Sequence, residues 1–237
     1  MNLVIDCGNT RIKAATFSDD ELREKFSFQS TDELKSFLHS NRFEEGLISS
    51  VGIPAEEILG WMDAQKKFVL KHTLPLPVKI LYKTPETLGV DRIAAVCGAL
   101  GIFPSDDCLV IDAGTCITYD FIDRNKNYHG GAISPGISMR FEAMHTFTKR
   151  LPLVKAAPEK LIGDSTESSM RSGVMNGILS EVDGFIINYQ KKYPDLRVVL
   201  CGGDTQFFEN NLKPTIFAAP DLVLIGLNRI LNHNAAL

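Results

Sequence analysis

Two short turns constrain this chain more than anything else in it: Asp6-Cys7-Gly8-Asn9-Thr10 and Asp112-Ala113-Gly114-Thr115. Each follows a β-branched, apolar run (Leu3-Val4-Ile5, then Leu109-Val110-Ile111) and precedes a second strand-like stretch. Each therefore reads as the tip of a β-hairpin, with an acid, a glycine and a hydroxyl in the same order. Glycine lets the backbone approach a bulky anion, and the threonine hydroxyl with its neighbouring amides can donate to phosphate oxygens. The leading aspartate has the same sign as phosphate, so it makes sense there only with a cation, or water on a cation, in between. Two such turns facing one another would clamp the phosphate tail of a nucleotide. The plainer alternative is two ordinary tight turns whose Asp and Gly serve the backbone alone. The matched pair favours the clamp.

The two turns stand about one compact unit apart, and the element signals around them repeat. Strands are expected near 2–6, 11–17 and 23–28, then a helix over 31–41 opened by Thr31, Asp32 and Glu33. A strand at 46–51, a helix at 54–65 after Pro54, short strands near 67–71 and 78–82, and a helix beginning at Asp91 complete the first half. The second turn leads into a strand at 117–122, a hairpin at 128–134, a helix at 137–147 and a long helix at 167–191. A strand at 196–201 and a last helix near 221–233 end the pattern. The reading is an α/β chain with a duplicated β-β-β-α-β-α arrangement, in two lobes (1–105 and 106–237) with a cleft between them. No loop is long or low in complexity, so the lobes are expected to be closely coupled.

Composition narrows the function classes. With 237 residues, 44% hydrophobic and 23% charged, the chain can bury proper cores in one large or two small domains. A net charge of -4, and no basic cluster beyond local pairs such as Lys191-Lys192, argue against a nucleic-acid surface. Cys7, Cys97, Cys108, Cys116 and Cys201 are scattered and mostly lie in apolar runs, as buried free thiols of a reducing compartment would. The five histidines form no ligand cluster, so a zinc site is not expected. The chain opens straight into a strand, and its longest apolar run, Ile93 to Phe103, is too short for a membrane span. A cytoplasmic protein without membrane or nucleic-acid partners is the expectation.

Further motifs surround the turns. Lys13 shares a strand face with Arg11, and one of them could reach back over phosphates as a point charge or stay an exposed strand residue. In Gly89-Val90-Asp91-Arg92, Asp91 stands where a capping or first-turn acid would begin the helix Ile93-Ala94-Ala95-Val96. At a cleft edge the same carboxylate could accept a proton from a hydroxyl attacking a γ-phosphate. Both readings stand. Arg92 could fork onto a carboxylate or sit in solvent. The bend from Gly130-Gly131 to Pro135-Gly136 could admit a ligand close to the backbone or be a tight corner. Gly202-Gly203-Asp204, after Val198-Val199-Leu200, could seat an adenosine, although that signal is weak alone. Thr166 reads as the N-cap of the long helix, with Ser169 three residues on.

Together these residues resemble the type III pantothenate kinases, of the acetate kinase, sugar kinase and actin superfamily, over nearly the whole chain. Asp6, Gly8, Asn9, Thr10 and Lys13 look like that family's first phosphate loop, and Asp112, Gly114 and Thr115 like its second. Tyr82 followed by Gly89-Val90-Asp91-Arg92 is similar to its pantothenate-site signature. The segment Gly130-Gly131 to Pro135-Gly136 resembles its connecting segment, and Thr166 with Ser172-Gly173 the motif at the long helix.

The resemblance implies two ribonuclease H-like lobes of the actin-like ATPase type with a nucleotide cleft between them. It implies ATP-dependent phosphorylation of pantothenate at its primary hydroxyl to 4'-phosphopantothenate, the first step of coenzyme A biosynthesis. Asp91 would be the proton acceptor. Tyr82, Gly89, Val90, Arg92 and Thr166 would hold pantothenate, with Arg92 a natural partner for its carboxylate. Asp6, Cys7, Gly8, Asn9, Thr10, Arg11, Ile12, Lys13 and Thr115 would bind ATP, with Mg2+ bridging the phosphates. Asp112 would lie beside a monovalent cation, potassium or ammonium. A homodimer is also implied, with residues around His145 placed to complete a partner's pantothenate pocket. Two departures, Cys116 and Ser169 at positions where alanine is more usual, remove no group the chemistry needs. The rivals are a kinase of another small hydroxy compound and a nucleotide-binding regulator that has lost catalysis. The regulator's hallmark would be loss of Asp91 or of a phosphate-loop acid, and all three acids are present.

Overall fold

The opening apolar run forms β1 (Asn2–Cys7), which pairs antiparallel with β2 (Ile12–Ser18), itself paired with β3 (Glu21–Phe28). These coordinates are a computed structural model that describes residues 1–8, 11–52, 54–212 and 215–237. Asn9 and Thr10 of the expected first phosphate loop lie outside the described residues. Helix α1 (Thr31–His39) is opened by Ser30, whose hydroxyl accepts from the Glu33 amide at 3.3 Å. The Glu33 carboxylate in turn accepts from the Gln29 amide at 2.8 Å. β4 (Arg42–Ser50) then runs parallel to β1.

Helix α2 (Ala55–Trp61) is shorter than the 54–65 expected. Met62 is already extended (φ -80, ψ 131), and β5 (Asp63–Val69) starts there, pairing Asp63 with Arg42. An Arg42–Asp63 ion pair at 2.9 Å closes that start. The charged residues that suggested a helix surface instead line the outer edge of a sheet ordered β3-β2-β1-β4-β5. Leu3, Ile5, Ile48, Leu34, Leu38 and Ile58 form the core between this sheet and helices α1 and α2. β6 (Lys79–Ile80), a 3-10 turn (Pro85–Thr87) and α3 (Val90–Ile102) follow.

The second unit repeats the opening with β7 (Cys108–Ala113), β8 (Cys116–Ile122) and β9 (Asn127–Pro135). Helices α4 (Ile137–Thr146) and α5 (Thr166–Lys192) precede β10 (Arg197–Cys201), α6 (Thr205–Asn211) and β11 (Phe217–Ala218). β10 pairs parallel with β7 and β11. Leu109, Ile111, Tyr119, Ile178, Val182 and Leu200 are at the centre of this unit's core. The last element is α7 (Leu222–Ala235).

By packing, one unit comprises Met1–Ser105, Ile122–Gly130 and Asp221–Leu237, and the other Asp106–Phe121 and Gly131–Pro220. Residues 221–237, read from sequence as part of the second lobe, thus pack with the first. The reason is visible in α3: a Cβ on Gly98 would stand 2.3 Å from the Leu222 carbonyl, and one on Gly226 would stand 1.8 Å from that of Ala94. Bare glycines let α3 and α7 meet backbone to backbone. Also within the first unit, β6 pairs with Asn127 and Tyr128 at the start of β9.

Candidate active site

The first unit gathers most of the expected site residues. Asp6 is the penultimate residue of β1, opposite Lys13 on β2 and beside Ser49 on β4. Burial, and then the charge of Asp91, push the Asp6 carboxyl up to about 6, against the pull of Lys13 and the Ser49 hydroxyl. The turn beyond it is closed by the Gly8 amide donating to the Arg11 carbonyl at 3.2 Å. Arg11 and Lys13 are exposed and Ile12 is buried between them, as alternation on a strand requires. Cys7 is buried, and its thiol is pushed up to about 12 by burial and the neighbouring Asp6 charge. Any contribution of Cys7 to a ligand would therefore come from its backbone, not from a thiolate.

Asp91 is in the first turn of α3, where its Oδ1 accepts the Arg92 amide at 2.8 Å. This satisfies one of the amides that a helix start leaves without an internal partner. Gly89 precedes the helix without a side-chain cap, and a Cβ there would stand 2.5 Å from Asp91 Oδ1. Glycine at this position keeps the carboxylate uncrowded. The Arg92 side chain is buried, with its guanidinium 5.9 Å from the Tyr82 ring centroid. Gly130, at φ +93, makes room for that ring: a Cβ would stand 2.7 Å from Tyr82 Cδ2. Gly130 therefore admits a side chain of this protein, a role the sequence left open.

The second unit carries the other residues. Asp112 is the penultimate residue of β7, paired with Cys201 at the end of β10. Its turn is closed by Gly114 donating to Cys116 at 3.0 Å, with Thr115 exposed at the tip. Two backbones press on this turn. At Gly136 a Cβ would lie 2.1 Å from the Gly114 carbonyl. At Gly202, φ +96, one would lie 2.3 Å from the Ala113 carbonyl and 2.4 Å from Asp112 Oδ1. The Asp204 amide donates to the Ala113 carbonyl at 2.9 Å, and burial raises the Asp204 carboxyl above its ordinary value.

Thr166 is not the cap of the long helix. Ser165 is: its hydroxyl accepts the Ser168 amide at 3.2 Å, and its own amide donates to the Ser168 hydroxyl at 2.8 Å. Thr166 is instead the first helical residue, exposed beside an open pocket that Met144, Leu151, Gly163 and Met170 also line. Sequence reasoning missed Ser49, a hydroxyl just after the apolar pair Leu47-Ile48, which only the parallel β1–β4 register brings to Asp6. It also missed Glu181, which accepts from Ser134, Tyr119 and Arg140. Its one signal was an acid adjoining the apolar stripe of Ile178, Val182 and Phe185.

Comparison with solved structures shows the fold. Component A of (R)-2-hydroxyglutaryl-CoA dehydratase from Acidaminococcus fermentans matches with a TM-score of 0.59 at 19% identity, covering 100% of this chain and 99% of its own. Glucokinase from an Antarctic psychrotroph matches at 0.52 and 12% identity, covering 98% of each. The chain has the α/β fold of the actin-like ATPases and sugar kinases. A family model described as type III pantothenate kinase matches residues 2–188, and the type III pantothenate kinase of Phocaeicola vulgatus is 48% identical over 239 residues, 99% of both chains. This chain belongs to the type III pantothenate kinase family.

Proposed function

We infer that the chain transfers the γ-phosphoryl group of ATP to the primary hydroxyl of pantothenate, giving 4'-phosphopantothenate for coenzyme A biosynthesis. The observation that carries the reading furthest is the Asp91–Arg92 pair at the start of α3. A carboxylate and a buried guanidinium leave adjacent positions, with the Tyr82 ring alongside. In this reading Asp91 accepts the proton of the attacking hydroxyl. Arg92, Tyr82, Gly89 and Val90 hold the acceptor, with Arg92 facing its carboxylate. Thr166 contributes from the start of α5.

ATP is held by the Asp6–Lys13 segment and by Thr115. A kinase of this family uses ATP with a divalent metal, and the reading specifies Mg2+. The residues present fit such an ion, because Asp6 is half-buried and repelled by Asp91, and a nearby cation relieves both costs. Bound there, Mg2+ would neutralise phosphate charge. Asp112 is assigned to a monovalent cation, potassium or ammonium. A homodimer is supported by the exposed apolar side chains Phe147, Leu153, Leu161 and Ile162 around the segment after α4. Among the described residues no helix is long and apolar enough to cross a membrane, and the reading places the enzyme in the cytoplasm.

The test is phosphorylation of pantothenate by purified protein with Mg2+ and ATP, comparing potassium or ammonium with sodium. Turnover with a sugar or acetate but none with pantothenate would overturn the substrate. Sedimentation of a monomer at assay concentration would overturn the dimer.

A further inference from the structure

We propose that Glu181 is a positioning residue for the second phosphate turn. It acts through the Ser134-Pro135-Gly136 corner, and the proposal rests on the reading above that this turn holds ATP. Glu181 Oε1 accepts the Ser134 hydroxyl at 2.6 Å and the Tyr119 hydroxyl at 3.1 Å, while Oε2 accepts Arg140 Nη2 at 2.6 Å. Arg140 Nε also donates to the Pro135 carbonyl at 2.8 Å. The corner is therefore gripped through one side chain, one carbonyl and the helix that follows it. Its last residue rests on the turn: the Gly136 amide donates to the Thr115 carbonyl at 3.0 Å, and a Cβ on Gly136 would overlap the Gly114 carbonyl.

The anchor at the far end is rigid. Glu181 sits within the long helix α5, and Tyr119 is fully buried with its ring stacked on Phe185 at 4.0 Å. Burial alone would raise the Glu181 carboxyl, but the Ser134 hydroxyl, the Arg140 guanidinium and the Tyr119 hydroxyl outweigh it and hold the group ionised. An ionised acceptor makes each of these bonds stronger than its neutral counterpart. A small shift of the corner would move the Thr115 carbonyl and the exposed tip beside it. Phosphate-binding geometry tolerates such shifts poorly.

The experiment measures ATP affinity by calorimetry, without pantothenate, together with steady-state constants and melting temperature. The variants are Glu181→Ala, Glu181→Gln and Ser134→Ala. Glu181→Ala is expected to weaken ATP binding about tenfold and Ser134→Ala about threefold, with Glu181→Gln between them. The KM for pantothenate should stay within about twofold of wild type, because no acceptor contact is altered. In a Thr115→Ala background the Ser134→Ala effect should shrink, since both act on one turn. Unchanged ATP affinity in Ser134→Ala and Glu181→Gln, with a lowered melting temperature, would reduce the network to a structural brace and overturn the proposal. Fully additive effects with Thr115→Ala would do the same. Because binding is read directly, the series decides the point even if the acceptor proves to be another hydroxy compound.

Discussion

The two Asp-x-Gly turns share a sequence pattern and are built by opposite means. Around Asp6 the defining influences are burial and then charge: Asp91 opposes its ionised form, while Lys13 across the strand pair and the Ser49 hydroxyl favour it. Its glycine is exposed, and among the described residues a Cβ there would meet the Arg11 carbonyl at 3.4 Å. Around Asp112 the influences are steric, with Gly136 and Gly202 pressing bare backbone against the turn. The acid of the first turn is set by burial and charge, and the second turn is wedged in place. One motif thus divides into a responsive half, sensitive to ions and pH, and a fixed half that acts as a reference surface.

The largest expected effect tests the responsive half. Asp91→Asn should lower kcat by about 10^2- to 10^4-fold while direct ATP binding persists. A loss of stability with turnover per folded molecule unchanged would make Asp91 a helix-start residue only. Next comes the fixed half. Gly202→Ala places a Cβ against two oxygens at a positive φ, and should cost about 4 kcal/mol in urea unfolding. A cost below about 1 kcal/mol would show that the second turn is not wedged.

The third prediction concerns pH. With the folded Asp6 carboxyl at about 6 against an ordinary 3.8, the folded state holds its proton more tightly than the unfolded chain. Stability from this group is fully present below about pH 4 and is lost as pH rises through about 6, a change of roughly 3 kcal/mol. Asp6→Asn should abolish that slope in the ligand-free protein and raise its stability at pH 7, measured by urea titration at both ends of the window. A slope that survives the substitution would place the titration elsewhere. The smallest effect is Gly8→Ala, expected to change stability by less than about 1 kcal/mol. A larger loss would erase the contrast between the two glycines.

Much of this was legible in the chain because it is local. Apolar runs ending in Asp and Gly specify hairpins, and the order of strands and helices follows their periodicity. What escaped depends on pairing between distant segments. Ser49 reaches Asp6 only through the parallel register of β1 and β4. Residues 63–65 were expected in the helix because Asp63, Ala64 and Gln65 suit a helix end as well as the start of an edge strand. The cap of α5 was misplaced by one residue because Ser165, Thr166 and Ser168 all carry hydroxyls, and only reciprocal bonding singles out Ser165. Glu181 gave only the faint signal of an acid beside an apolar stripe, since its partners come from β8, β9 and α4.

The glycine seam between α3 and α7 has a consequence for biosynthesis. Asp91 is fixed by a helix whose close-packed neighbour is translated more than a hundred residues later. The first unit therefore cannot finish assembling while its own N-terminal portion emerges from the ribosome, as nascent domains usually do. The buried face of α3 must wait, uncovered, until the entire second unit has been synthesised. The helix that carries Asp91 therefore reaches its final packing only after α7 has been made, late in the assembly of the first unit.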